Sequence, residues 1–189
     1  KSALKSFTGY FEIPTRYGMT VGEIATYYKD AANLKLDLEV IRMKNWQRKM
    51  WYDETGLTWV NPSPNMRSLE AAILYPGLGM METLNISVGR GTENPFIVYG
   101  TPWLDNEALI VEMNKNNFAG ISFSTINFKP TTSTYANQEV KGFSIKITDR
   151  NKVKSSEAML KLLEYINKNN PKQLNFTKHL NRSFGSNLL

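Results

Sequence analysis

The sequence predicts an α+β domain, helices packed on a mixed sheet, and three observations predict it. Apolar residues alternate with period two over 36–43 and 141–148, whereas they recur at helical spacing over 21–32 and 159–166. These strand and helix patterns follow one another without a strict βαβ rhythm, which argues for a mixed sheet. With 41% hydrophobic and 12% aromatic residues, a chain of 189 residues buries a substantial core, and no repeat or low-complexity stretch divides it. Residues 1–189 therefore read as one domain.

Taken in order, Ser6 to Pro14 reads as a strand or extended leading segment that Pro14 ends. Thr20 and Glu23 have the spacing of a capping box, and Val21, Ile24, Ala25, Tyr28 and Ala32 form the apolar stripe of the helix that follows. Glu23 is thus a cap before it is a catalyst. Leu36 to Met43 reads as a strand with one buried face. Trp46, Trp51 and Trp59 then come close together; such rings pack on sugar C–H faces, but at this density they more often fill the seam between elements. Residues 67–76 predict a short helix closed near Pro76, residues 77–84 another helical turn, and Asn85–Val88 and Phe96–Tyr99 two strands. A helix from Asp105 through Asn114, strands over Gly120–Phe128 and Lys141–Thr148, and a polar loop Lys129–Tyr135 bordering a cleft complete the middle of the chain. Finally, Ser155 or Ser156 caps a helix with Met159, Leu162, Leu163 and Ile166 on one stripe, ended by Asn170 and Pro171.

Composition excludes several chemistries. The sequence has no cysteine and a single histidine, His179, which leaves no material for thiolate catalysis, a disulfide, a histidine metal cluster or a catalytic triad. No metal or cofactor is therefore expected, and His179 reads as a surface helix residue. A net charge of +6 and a pI near 9.4 suit an anionic partner. Much of the excess, however, sits on Lys146, Lys152, Lys154, Lys161, Lys168, Lys172 and Lys178, and the arginines do not cluster with aromatics as on a nucleic-acid surface. No apolar run approaches the roughly 20 residues that span a bilayer.

The stretch from Trp59 to Trp103 holds the candidate site. It gathers Ser63 between Pro62 and Pro64, Asn65 directly after them, Asn85 and Ser87, Arg90 between two glycines, Thr92, and the turn Gly100–Trp103. Glycines on both sides of Arg90 allow positive φ and turn backbone N–H groups toward one point, which makes a concave binder of anions or sugar oxygens. Any one of these pieces alone would be an ordinary loop. Together they read as a ligand surface. Glu82 is the acid nearest the motif; it reads either as an aid to catalysis or as the partner of Arg90 at a helix end, and Glu12, Asp53 and Glu93 rank behind it.

In the order SFTGYFEIPTRYGMTVGEIA, MKNWQRKMWYDETGLTWVNPSPNM, ETLNISVGRGTENPFIVYGTPW and FKPTTSTYANQEVKGFSIKITDR, the chain resembles the DUF1343 family of exo-β-N-acetylmuramidases. The resemblance implies a bacterial, periplasmic or secreted glycosidase that removes terminal N-acetylmuramic acid from peptidoglycan fragments. It also implies a two-domain enzyme whose Rossmann-like N-terminal half carries the catalytic glutamate and is absent here, so that 1–189 is the C-terminal, substrate-cleft domain. The alternative is a non-catalytic module that binds cell-wall glycan. The sequence departs from the family at Tyr17, where a histidine is usual, and at Thr83 and Leu84 after Glu82. By the resemblance, Tyr17, Ser63, Asn65, Asn85, Ser87, Arg90 and Thr92 bind substrate, the Arg90 guanidinium taking the lactyl carboxylate and Trp103 standing exposed on the cleft.

Overall fold

The computed structural model describes residues 10, 11, 13, 14, 16–177 and 183. Glu12 and His179 fall outside the described residues, as does most of the segment expected from Ser6 to Pro14. Where the sequence reads as one domain, the chain divides into two compact units, Lys1–Leu57 and Thr58–Leu189. Each is taken by itself below.

The first unit centres on α1 (Val21–Ala31). Its start follows from local chemistry: Thr20 Oγ1 accepts from the Glu23 N–H at 3.2 Å, and the Glu23 carboxylate accepts from the Thr20 N–H at 2.7 Å. Arg48 donates to the same carboxylate and to the Gly18 carbonyl, so Glu23 is committed to holding backbone together. Thr20→Ala is expected to fray this turn, with amide exchange at Glu23 and Ile24 rising about fivefold and Thr20→Ser restoring protection. Unchanged exchange in the alanine variant would show that the cap is not what starts the helix.

No residue of α1 is buried. Phe11 packs its ring on Tyr28 and Tyr27 at 4.5 and 5.9 Å, and Gly22 lies so close to Val40 that it has no room for a Cβ. The segment Leu36–Met43 corrects the sequence reading: it pairs with no strand among the described residues, and Ile41 and Met43 are 88% and 65% exposed. Alternation describes a strand's faces; the ladder needs a second strand. Trp46 and Trp51 are half-buried, with the Arg48 guanidinium 5.6 Å from the Trp46 ring, and a 3-10 turn at Tyr52–Thr55 ends at Gly56.

The second unit contains the core. Its elements are α2 (Leu69–Leu78), a 3-10 turn (Gly79–Thr83), β1 (Val98–Gly100), α3 (Asn106–Lys115), β2 (Ile121–Phe128), β3 (Val140–Ile147) and α4 (Ser155–Asn169). The sheet order is β1-β3-β2 and every pairing is antiparallel, which confirms helices with strands but corrects the mixed sheet. The physical reason is topological. β2 and β3 form a hairpin through the loop 129–139, and β3 sits between the two strands that run in the same direction.

Period-two alternation assigns the faces: Tyr99, Ile121, Phe123, Phe143 and Ile145 join the main core, whereas Val98, Phe128 and Val140 form a smaller cluster. Tyr99 and Phe143, partners in register, stack at 5.5 Å. From α4, Ala158, Met159, Leu162 and Ile166 fill the main core beside Leu74 and Leu78 of α2, as the stripe of α4 predicts. Asp105 caps α3 by accepting from the Ala108 N–H at 3.1 Å. Further along, the Asn114 amide satisfies both the N–H and the C=O of Phe123 on the edge strand β2, at 3.1 and 3.0 Å.

Three boundaries differ from the sequence reading. α2 runs through Pro76 to Leu78, because the N–H of Gly77 has found an acceptor outside the helix, Ser155 Oγ at 3.1 Å. Ser155 therefore does not cap α4; it is the first helical residue, and Lys154 stands at the cap position. The expected strands Asn85–Val88 and Phe96–Tyr99 shrink to the bridge Ser87↔Gly100 and the short β1, because Phe96 takes φ 62° in a turn.

Candidate functional site

Gly89 and Gly91 have φ of 73° and 79°, the conformation that the glycines on either side of Arg90 predict. Neither has room for a side chain, since Gly89 faces the Val98 carbonyl and Gly91 the backbone of Thr131 and Thr132. The N–H groups of this turn do not stay open for a ligand, as the sequence reading expects. Gly89 donates to Ser87 Oγ at 3.3 Å, Gly91 to Asn65 Oδ1 at 3.4 Å and Thr92 to the Gly89 carbonyl at 3.1 Å. What the turn presents is the Arg90 side chain.

That side chain is pre-positioned on two sides. Arg90 Nε and Nη2 both donate to the Glu82 carboxylate, the latter at 3.0 Å, and the guanidinium carbon lies 5.1 Å from the centre of the Phe96 ring. Glu82 reaches it because the 3-10 turn Gly79–Thr83 extends α2 by one more turn. The hydrogen bond to Glu82 raises the Arg90 pKa, opposed by burial and aided by the nearby charges of Glu82 and Tyr75. Side-on pairing uses one edge of the fork. Arg90 Nη1 has no partner among the described residues, and the side chain is 28% exposed.

Phe96 is the strained member of the group. An aromatic residue at φ 62° is unfavourable unless its surroundings hold it. Here its N–H donates to the Val88 carbonyl at 2.8 Å and its carbonyl accepts from Tyr99 Oη at 2.7 Å. Burial, with a lesser contribution from Glu82, raises the pKa of Tyr99, so its hydroxyl stays a donor. Tyr75 closes on Phe96 edge to face at 4.8 Å.

The sequence-predicted residues separate into groups. Asn65, Arg90 and Thr92 are gathered at the turn, where Thr92 Oγ1 donates to the Gly89 carbonyl and accepts from the Asn94 N–H. Ser63 is nearby in sequence to Asn65 and exposed. Asn85 is occupied elsewhere: its amide donates to the Gln173 carbonyl and accepts from the Asn175 N–H, tying the motif to the segment after α4. Ser87 is 2% exposed and serves the Gly89 N–H. Tyr17 belongs to the first unit, where it is exposed, as is Asp53; Glu93 is exposed beside Thr92.

Two elements escaped the sequence reading. Tyr75 and Phe96 build the aromatic frame of Arg90, and the only hint of them is their nearness to the motif. The second is the clamping role of the loop 129–139, whose part Lys129–Tyr135 is expected to border a cleft: Thr131 Oγ1 donates to the Gly91 carbonyl at 2.9 Å, and Tyr135 Oη donates to the Asn85 carbonyl at 3.1 Å. Tyr135 Oη also meets Thr101 Oγ1 and accepts from Trp103 Nε1 at 3.2 Å. Trp103 is consequently half-buried against the core rather than exposed. Among the described residues no helix is long and apolar enough to cross a membrane.

Comparison with known proteins also divides the chain, but after residue 70 rather than after Leu57. The family model described as "Exo-beta-N-acetylmuramidase NamZ, C-terminal" matches residues 73–189, and its N-terminal counterpart matches residues 1–70. The sequence reading gives all of 1–189 to the C-terminal domain; the family models divide it between the two. The peptidoglycan β-N-acetylmuramidase NamZ of Bacillus subtilis (strain 168) is 36% identical over 171 residues, which are 90% of this chain and 41% of that protein. The chain thus spans about two fifths of that relative's length. Among solved structures, one DUF1343 family protein of Bacteroides fragilis superposes with a TM-score of 0.87 at 29% identity, over 97% of this chain and 50% of its own. A second from the same organism gives a TM-score of 0.66 at 25% identity, over 99% of this chain and 50% of its own. With its C-terminal family model covering most of the sequence and its N-terminal one the remainder, the chain belongs to the family of the exo-β-N-acetylmuramidase NamZ.

Proposed function

We propose that the second unit forms a wall of the substrate cleft of an exo-acting β-N-acetylmuramidase, and that Arg90 receives the lactyl carboxylate of a terminal N-acetylmuramic acid in a peptidoglycan fragment. One observation carries the reading: Glu82 and Phe96 hold the guanidinium while its outer edge has no partner among the described residues. A carboxylate approaching that edge meets paired N–H donors in a fixed plane, and the positioning cost has already been met by the fold. N-acetylglucosamine lacks the carboxylate. The same edge therefore distinguishes the two sugars of the glycan. Because the substrate is a cell-wall polymer, the reading places the action in the periplasm or outside the cell.

A glycosidase needs one carboxyl group to protonate the leaving oxygen and a second as nucleophile or base. Both Glu82 oxygens accept from Arg90, which makes Glu82 a positioning residue in this arrangement. The main acid is then supplied by the family's N-terminal, Rossmann-like domain, as the resemblance implies. The same observation supports the binding-only alternative, in which the unit holds glycan and catalyses nothing.

Titration of the chain with N-acetylmuramic acid and with N-acetylglucosamine tests the reading. Arg90→Ala is expected to weaken the first by about 1–3 kcal/mol, the scale of a charged hydrogen bond, and to leave the second unchanged. A melting curve checks that the variant has kept its fold. Equal muramic acid affinity in wild type and variant would remove Arg90 from the site, and preferential retention of nucleic acid with steep salt dependence would favour a different ligand class.

A further inference from the structure

Tyr75 lies on α2, whose Ala71, Leu74 and Leu78 are buried, yet Tyr75 itself is 42% exposed. It is exposed without being loose. One side of the ring rests on Gly79, where an added Cβ would come within 2.8 Å of two ring carbons, and its edge-to-face contact with Phe96 is nearly perpendicular, at 82°. The hydroxyl has no hydrogen-bond partner among the described residues, so nothing described in the fold uses the polar end of this side chain. A tyrosine that served only to cover the core would present its ring inward. This one is fixed from below and from the side, with the remaining surface in solvent.

The same Phe96 ring carries Tyr75 at 4.8 Å and the Arg90 guanidinium at 5.1 Å. Phe96 holds both in place from a backbone conformation that few aromatic residues adopt, and strained residues held by their neighbours cluster at functional sites. Arg90 also senses the Tyr75 phenol, the smallest of the contributions to its raised pKa. A fixed aromatic surface next to a fixed cation suits a ligand that has an apolar C–H face and an anionic substituent together. An acidic pyranose has both.

We infer that Tyr75 is the aromatic wall of this site, its open surface taking the C–H face of the sugar ring whose carboxylate reaches the outer edge of Arg90. The inference rests on the reading given under Proposed function and adds the element that recognises the ring itself. Stacking is indifferent to charge, and aromatic contacts depend on the ring rather than on its hydroxyl. The division of labour is then definite: Arg90 distinguishes carboxylated from neutral sugars, and Tyr75 contributes to both alike.

The test is a double titration of the chain with N-acetylmuramic acid and N-acetylglucosamine, followed by NMR, on wild type, Tyr75→Ala, Tyr75→Leu, Tyr75→Phe and Arg90→Ala. Tyr75→Ala and Tyr75→Leu are expected to weaken both sugars by about five- to tenfold and to leave their ratio intact, with Tyr75→Phe restoring most of the loss. The leucine variant keeps apolar packing over Gly79, and melting curves with methyl spectra show whether each variant is folded. If folded Tyr75→Ala and Tyr75→Leu bind both sugars as wild type does, while Arg90→Ala collapses the ratio, Tyr75 is not the wall and the Arg90 reading stands. If Arg90→Ala leaves the ratio unchanged while the Tyr75 variants weaken both sugars, the stacking surface stands and the carboxylate reading fails. A wild-type chain that binds neither sugar overturns both.

Discussion

Expressed alone, the 189 residues are expected to release no N-acetylmuramic acid from a chromogenic β-muramide. Turnover requires two carboxyl groups set about the scissile bond, and in the second unit Glu82, the first acidic candidate, has both oxygens on Arg90. A proton donor needs an oxygen free to face the leaving group; Glu82 has none to offer while the pair persists. Removing a principal catalytic group typically lowers turnover by about a thousandfold or more, so any signal is expected near the uncatalysed background. Supplying the remainder of a family N-terminal domain, fused ahead of the chain or added in trans, is expected to raise it. Hydrolysis by the isolated chain at a rate comparable to the fused protein would place the acid within these residues, and Glu82→Gln would be the next variant to measure.

Gly77→Ala is expected to be strongly damaging to the second unit. On helix propensity alone, replacing glycine by alanine within α2 stabilises by up to about 1 kcal/mol. The tertiary structure reverses that sign. A Cβ at position 77 would overlap the backbone of Ser155 and Ser156, where α4 begins, and backbone cannot move aside as a side chain tip can. The clash would also disturb the buried hydrogen bond from Gly77 to Ser155 Oγ. The expected net loss is about 3 kcal/mol, read as a drop of roughly 10 °C in Tm. Gly18→Ala is the control, since a Cβ there meets nothing within 4 Å and φ is not positive. A Gly77→Ala melt within about 2 °C of wild type would show that the α2–α4 crossing yields more easily than close packing allows.

Much of the fold was legible because it depends on neighbours in sequence. The capping box at Thr20 and Glu23, the Asp105 cap of α3, the stripe on α4 and the alternation of β3 are each decided within one or two turns of chain. Ser155 shows the limit of this. A serine before an amphipathic run looks like a cap, and only the crossing with α2 makes its hydroxyl the acceptor of an N–H from Gly77, 78 residues away. Leu36–Met43 shows another, since its alternation carries no information on whether a partner strand is present.

The site divides in the same way. The sequence by itself determined that Arg90 stands in a positive-φ turn between glycines, that Glu82 is a candidate partner for it, and which family the motif belongs to. Only the tertiary structure decided that Glu82 pairs with Arg90 side-on, that Asn85 and Ser87 spend their polar groups on the fold, and that Tyr135 clamps the motif while half-covering Trp103. Tyr75 and Phe96 owe their role to the same level, because Phe96 meets Arg90, and Tyr75 meets Phe96, through packing rather than through spacing. The physical reason is that backbone preference depends on local sterics and is written in adjacent residues. The direction and partners of a side chain depend instead on which distant segments the core brings against it.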